Sequence, residues 1–162
     1  MPFRNKLSIL ILIIMLSFQT VKSQIKFPTQ QEFIEQSLEC DTTIEVFTEH
    51  ALLSYMDELG MKYVNFVMGQ AKHESAHFKS DLFRNNNNLF GMVKAEKRIT
   101  TAIGKRKGYA LYPNWKASVL DYYYMQQQIS VKHNTKKKYY AYIFKNYAKD
   151  PSYRKKMQKY IE

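Results

Sequence analysis

The sequence predicts a mainly α domain, a helical core interrupted by one small irregular or β-hairpin lobe. Three observations support this. Apolar residues recur at helical spacing on both sides of residue 60; that periodicity vanishes between Gly91 and Pro113; and helix-starting signals return at Asn114 and at Asp150-Pro151.

The first helix is expected from about Thr43 to Leu59, where Val46, Phe47, Leu53 and Met56 fall on one stripe and Gly60 can close the last turn in a left-handed conformation. A second is expected from Lys62 to about Lys79, with Val64, Val67, Met68, Ala71 and Phe78 as its apolar face. The run Asn85-Asn86-Asn87-Asn88 should stop a helix, because short amides compete for backbone hydrogen bonds. Glycines at 91, 104 and 108, β-branched residues at Ile99-Thr100-Thr101 and the segment Tyr109–Tyr112 then predict a small lobe centred on Ile103-Gly104-Lys105. Asn114 caps a third, long helix through Trp115, Val119, Tyr122 and Ile129. Asp150 and Pro151 open a last one, with Tyr153, Met157 and Tyr160 on its face.

Residues 1–23 read differently. Arg4 and Lys6 precede an apolar run from Leu7 to Phe18, and the segment ends in Val21-Lys22-Ser23, the pattern of a secretory signal peptide. The run is shorter than the ~20 apolar residues of a membrane span. Export and a single folded domain over 24–162 are therefore expected, with no stable membrane span after cleavage. Cys40 follows Glu39, away from the apolar run, and reads as a lone thiol; one cysteine excludes a disulfide framework.

The net charge of +11, from 25 Lys+Arg and 14 Asp+Glu, would suit a polyanion. Removing Arg4, Lys6 and Lys22 with the leader leaves 22 bases against 14 acids, or +8. An exported protein has no chromosomal partner, and runs such as Lys136-Lys137-Lys138 and Arg154-Lys155-Lys156 read as solvated faces. No nucleic-acid partner is expected, and the protein is expected to be a monomer.

Two motifs share Glu74. His73-Glu74-Ser75-Ala76-His77 matches the His-Glu-x-x-His pattern of zinc peptidases, with Glu96 as third ligand. On a helical wheel, however, His73 and His77 lie far from the apolar stripe and Glu74 near its edge, so the histidines should face solvent and the glutamate the core or cleft. The competing motif is Gln70–Ser75, followed by Asn85–Met92 (NNNNLFGM), Gly108–Tyr112, Ser118–Tyr122 and Tyr147–Tyr153. In this order, over roughly residues 44–162, the chain resembles the glucosaminidase-type peptidoglycan hydrolases, which include the hydrolase domain of flagellar rod-assembly proteins and many autolysins.

The resemblance implies a lysozyme-like fold and cleavage of the β-1,4 bond after N-acetylglucosamine in peptidoglycan glycan strands, without cofactor or metal. Glu74 is then the general acid: at the rim of an apolar helix face its charged form is poorly solvated, which keeps it protonated near neutral pH. The family often carries a second glutamate in the small lobe, within a Thr-Thr-Glu-Tyr-like stretch. Here Thr100-Thr101-Ala102 lacks it, leaving Glu96 as a possible second carboxylate and Asp121 as a structural one. Substrate-assisted cleavage by the 2-acetamido group needs only one acid. Asn88 and Phe90 are expected to shape the cleft floor, and Tyr109, Tyr112 and Tyr153 to meet the sugar. The remaining alternatives are the zinc peptidase and a non-catalytic wall-binding adaptor on the same fold.

Overall fold

The computed structural model describes residues 46–147 and 150–160. The expected signal peptide, Cys40 and the start of the first helix at Thr43 lie outside the described residues.

Thr48, not Thr43, starts the first described helix, α1 (Glu49–Glu58): its hydroxyl accepts from the Ala51 N–H at 3.0 Å. Gly60 follows at φ +62°, with its N–H bonded to Asp57 O, which is the expected left-handed stop. Of the expected stripe, Met56 is buried and Phe47 packs against the core, whereas Val46 is 74% and Leu53 39% exposed and Leu52 takes the buried place beside Met56.

The second helix, α2 (Val64–Glu74), is shorter than expected and runs through the centre of the molecule. Residues Phe66 to Ala71 are all buried, so the middle of this helix is enclosed on every side rather than amphipathic, while its two ends reach the surface. It stops because Ser75 folds its hydroxyl back onto Ala71 O at 2.5 Å and accepts from the Phe78 N–H at 2.9 Å. Ala76, His77 and Phe78 then adopt left-handed φ values of 50°, 54° and 64°. A β-carbon makes each such residue costly, so three in succession mark a turn held by its surroundings.

A short helix that sequence periodicity missed, α3 (Asp81–Asn86), follows the Ser80 cap. It ends at Asn87 in the left-handed conformation, two residues into the asparagine run. The run also anchors the small lobe. Asn86 Nδ2 donates to Arg106 O and Ala110 O, Asn87 Nδ2 to Tyr112 O and Pro113 O, and Asn88 Nδ2 to Met92 O and Ala110 O. The lobe carries a two-stranded antiparallel hairpin, β1 (Gly104–Arg106) with β2 (Tyr109–Leu111), pairing Lys105 with Ala110. Its turn is Lys107-Gly108, both at positive φ, rather than the expected Ile103-Gly104-Lys105; this two-residue geometry matches the twist of the strands.

Asn114 caps the long α4 (Trp115–Lys132) as expected, accepting from the Ala117 N–H at 2.9 Å. A second unforeseen helix, α5 (Lys136–Asn146), is capped by Thr135 and buries Tyr139, Tyr140 and Ile143. The closing helix, α6 (Tyr153–Met157), continues into a 3-10 turn over Gln158–Tyr160. Asp150 accepts from the Ser152 N–H and hydroxyl just before it.

Two apolar clusters meet across α2. One joins Leu52, Met56, Val67, Met68 and Ala71 to Leu89, Phe90, Trp115, Val119 and Tyr122; the other joins Phe66 to Ile129, Tyr139, Ile143, Tyr153 and Met157. Helices around one buried helix, with a two-stranded hairpin in the lobe, make the mainly α architecture with a small inserted lobe that the sequence predicts. No helix among the described residues is long and apolar enough to cross a membrane.

Gly69 shows how close this packing is. A β-carbon there would come within 2.2 Å of the Tyr160 ring. Gly69→Ala is expected to expel the Tyr160 turn from its seat on α2 and cost about 1–3 kcal/mol, measured by urea unfolding. An unchanged midpoint would show that Tyr160 does not rest there.

Candidate active site

Glu74 is the last residue of α2, and its side chain opens into a cleft of about 560 Å³. Its walls include Phe90 to Met92 after the asparagine run, Arg98 of the lobe, Met125 of α4, and Asn146, Tyr147, Asp150 and Tyr153 from the C-terminal segment.

Glycine is required at one of these positions. Gly91 sits at φ +64°, and a β-carbon on it would lie 3.3 Å from Glu74 Oε2. Only glycine gives the chain both this conformation and this approach to the carboxylate. Gly91→Ala should therefore lower activity more than stability, which parallel turnover and thermal unfolding measurements would separate.

Burial raises the pKa of Glu74, and the Tyr153 hydroxyl opposes this by bonding to the carboxylate. The C-terminal end of a helix also disfavours a negative charge. The Tyr153 proton is directed by a buried chain of hydrogen bonds. Gln70 Nε2 donates to the Tyr153 hydroxyl at 2.8 Å, leaving that hydroxyl's own proton for Glu74. Tyr122 donates to Gln70 Oε1, so the 3.1 Å contact between the Tyr122 and Tyr139 hydroxyls has Tyr139 as donor. Gln126 Nε2 in turn donates to Tyr139 at 3.4 Å and to Lys62 O at 2.8 Å. From Tyr139 through Tyr122 and Gln70 to Tyr153 the donors run in one direction, towards Glu74, so the series is polarised in favour of its carboxylate.

The sign of this effect is testable. Tyr153 stabilises the ionised glutamate, so Tyr153→Phe should raise the Glu74 pKa further and move the alkaline limb of a general-acid pH profile to higher pH. A limb that stays put or moves towards acid would contradict the direction of the bond.

The cleft floor is aromatic. Phe90 lies 4.4 Å from Tyr122 between ring centroids, Tyr147 stacks on Tyr153 at 6.2 Å, and His73 lies 5.6 Å from Tyr153. The Tyr147 hydroxyl donates to Phe90 O at 2.6 Å, tying the C-terminal segment to the loop after the asparagine run.

The expected site residues divide between cleft and interior. Glu74, Phe90 and Tyr153 line one cleft. Asn88 is fully buried: its Oδ1 accepts from the N–H groups of Phe90 and Met92 and its amide donates to two carbonyls, so it shapes the loop without reaching a ligand. Two tyrosines need correction. Tyr112 is 1% exposed and donates to Asp121 Oδ2 at 2.6 Å, in a small core with Ala102, Ala110 and Ala117, so it offers no face to sugar. Tyr109 is on the hairpin and does not line the Glu74 cleft. Glu96 is likewise outside it, exposed and paired with Lys105 at 3.1 Å. The absent lobe glutamate maps to Ala102, a buried position here. Asp121 is structural as expected, ion-paired with Arg98.

The acid that does share the cleft is Asp150, expected only as a helix cap. Hydrogen bonds from Lys156 and Ser152 hold its pKa down to about 2, so it is ionised. Its signal was present in the Tyr147–Tyr153 stretch. For Arg98 and Asn146 no local pattern in the sequence marks a site.

The zinc arrangement does not assemble. His77 stands in the left-handed turn instead of one helical turn beyond His73, and Glu96 is paired elsewhere. Among the described residues no group of three His, Cys, Asp or Glu side chains could hold a metal ion. His73 itself is not the solvated surface residue expected: it is half-buried, and burial together with Lys156 lowers its pKa.

A family model described as mannosyl-glycoprotein endo-beta-N-acetylglucosaminidase, the glucosaminidase family, matches residues 49–162. Protein bax of Escherichia coli (strain K12) is 47% identical over 58 residues, which are 36% of this chain and 21% of that protein. The chain thus spans about a fifth of that relative's length. The catalytic domain of the autolysin Auto from Listeria monocytogenes aligns with a TM-score of 0.47 at 20% identity, over 91% of each chain.

Proposed function

The chain belongs to the glucosaminidase family, and from that premise we propose that it is an exported endo-β-N-acetylglucosaminidase acting on the glycan strands of peptidoglycan. The observation that carries this reading is Glu74: a carboxyl with a raised pKa, at the end of a buried helix, opening into an aromatic-floored cleft. A glycosidic oxygen leaves poorly as an alkoxide, so a proton must reach it as the C–O bond breaks. Glu74 supplies that proton.

The second group is the substrate's own. The carbonyl oxygen of the 2-acetamido group attacks C1 from the opposite face while the protonated leaving sugar departs as an alcohol, giving a cyclic oxazolinium intermediate. Water then attacks C1, and the Glu74 carboxylate takes its proton, which returns the enzyme to its starting state. Phe90 and Tyr153, each 1% exposed, form the packed floor of the cleft, and the half-buried Tyr147 is the ring there with surface left for a sugar to stack on. Ionised Asp150 favours positive charge developing nearby, and Lys156 keeps it in place.

The test is the chemistry of the product. Purified peptidoglycan incubated with the protein should yield fragments with N-acetylglucosamine at the reducing end, equally well in the presence of a chelator. Reducing-end N-acetylmuramic acid, or cleaved peptide stems with intact glycan, would overturn the assignment. Binding to the wall with no sugar released would favour the adaptor reading.

A further inference from the structure

Behind the Glu74 cleft, on the far side of His73, lies a second concavity of about 450 Å³. Its walls include His73, His77, Lys155, Lys156, Lys159 and Tyr160. His73 lines both cavities and is the wall they share. The concavity is made by the unusual features of the fold. The left-handed turn at 76–78 brings His77 to it, and Gly69 lets Tyr160 lie flat on α2 as one wall.

Among the described residues no carboxylate lines the concavity. Lys156 is paired with Asp150 at 2.7 Å, on the side of the catalytic cleft. Lys155 and Lys159 have no acidic partner among the described residues; the Lys159 ammonium lies 4.8 Å from the Tyr160 ring. Two ammonium groups without a carboxylate partner among the described residues, beside two imidazoles, form a hollow suited to an anion. A bare lysine run on a flat helix would only be a solvated face. Here the charges line a hollow that shares one wall with the Glu74 cleft, the side chain of His73, next in sequence to the catalytic residue.

We propose that this concavity is an anion subsite that receives a carboxylate of the peptide stem carried by the sugar next to the cleaved bond. The inference rests on the peptidoglycan reading, since that polymer carries carboxylate-ended peptides on alternate sugars of its glycan. It assigns the basic C-terminal turn a role in choosing which stretches of strand are held: stems with free carboxylates bind, and amidated stems bind less well.

The test uses the full chain with Glu74→Gln, so that binding is measured without turnover, on purified peptidoglycan freed of accessory phosphate polymers. One portion keeps its stem carboxylates and a second has them amidated chemically. Lys155→Gln/Lys159→Gln should weaken binding to the carboxylate form about five- to tenfold and leave binding to the amidated form unchanged. A matched pair outside the concavity, Lys137→Gln/Lys138→Gln, should affect both forms alike and weakly. The proposal is overturned if Lys155 and Lys159 matter equally for both forms, or if the matched pair reproduces their effect. Failure of the glycosidase reading would look different: wild-type protein would release no reducing-end N-acetylglucosamine, whatever the lysine variants do.

Discussion

Glu74→Gln is expected to abolish measurable glycan hydrolysis, a loss of about 10²–10⁴-fold in kcat, while thermal unfolding changes little. The amide keeps the shape of the carboxyl and can still bond with Tyr153, but its N–H protons are far too weakly acidic to transfer to a departing oxygen. The loss should fall on kcat rather than KM, because the side chain meets the substrate mainly in the transition state. The pH dependence is fixed by the same residue. Burial raises the Glu74 pKa, so the acid form persists to higher pH than for an exposed glutamate, and activity should fall as pH rises through that value. Tyr153 restrains the rise, and its removal should extend the active range upwards. A Glu74→Gln variant retaining more than a tenth of wild-type turnover would exclude this residue as the general acid.

The second large effect concerns stability. Asp121 is fully buried, accepts from the Tyr112 hydroxyl and pairs with Arg98, whose side chain is 11% exposed. Asp121→Ala would leave a nearly buried guanidinium without a counter-ion and a buried phenol without an acceptor. Breaking one side of such a pair costs about 3–5 kcal/mol, because the stranded partner stays desolvated. Thermal or urea unfolding should read a loss of that size. Arg98→Met in the same chain should recover part of it, by removing the stranded charge. A change below about 1 kcal/mol would mean that water reaches the pair. Arg98 also lines the cleft, so the variant should lose activity even where it remains folded.

Local signals carried much of the fold. Gly60 stops α1 in the left-handed conformation, Asn114 caps α4, and the break in periodicity after Gly91 marks the lobe. Each depends on the backbone preferences of a few neighbouring residues, which are readable in one dimension. α5 was not legible in the same way. Its buried face is Tyr139, Tyr140 and Ile143 behind a lysine-rich first turn, and tyrosine reads equally well as core or as ligand surface. The end of α2 was extended too far because a helical wheel assumes that the helix continues. Ser75 ends it by a side-chain bond, and three left-handed residues follow.

The site shows the same division. Glu74 and Phe90 could be placed at a cleft from motif order, and Tyr153 from the stretch that closes the domain. Tyr112 could not be told from Tyr153 by type or context. The one is sealed against Asp121 and the other bonded to Gln70 and Glu74, a difference created by residues 83 positions apart in the chain for Gln70 and Tyr153.

By itself, then, the sequence determined a mainly α domain with one inserted lobe and a single glutamate in the family's motif order. Those properties follow from spacing, caps and residue identity, all of which act locally. Only the tertiary structure decided that the asparagine run anchors the hairpin, that Asp150 rather than Glu96 shares the cleft, and that His73 and His77 border a basic hollow. The physical reason is that burial and partnership belong to pairs of distant residues. An amphipathic or charged side chain has no fixed role until packing sets what stands opposite it.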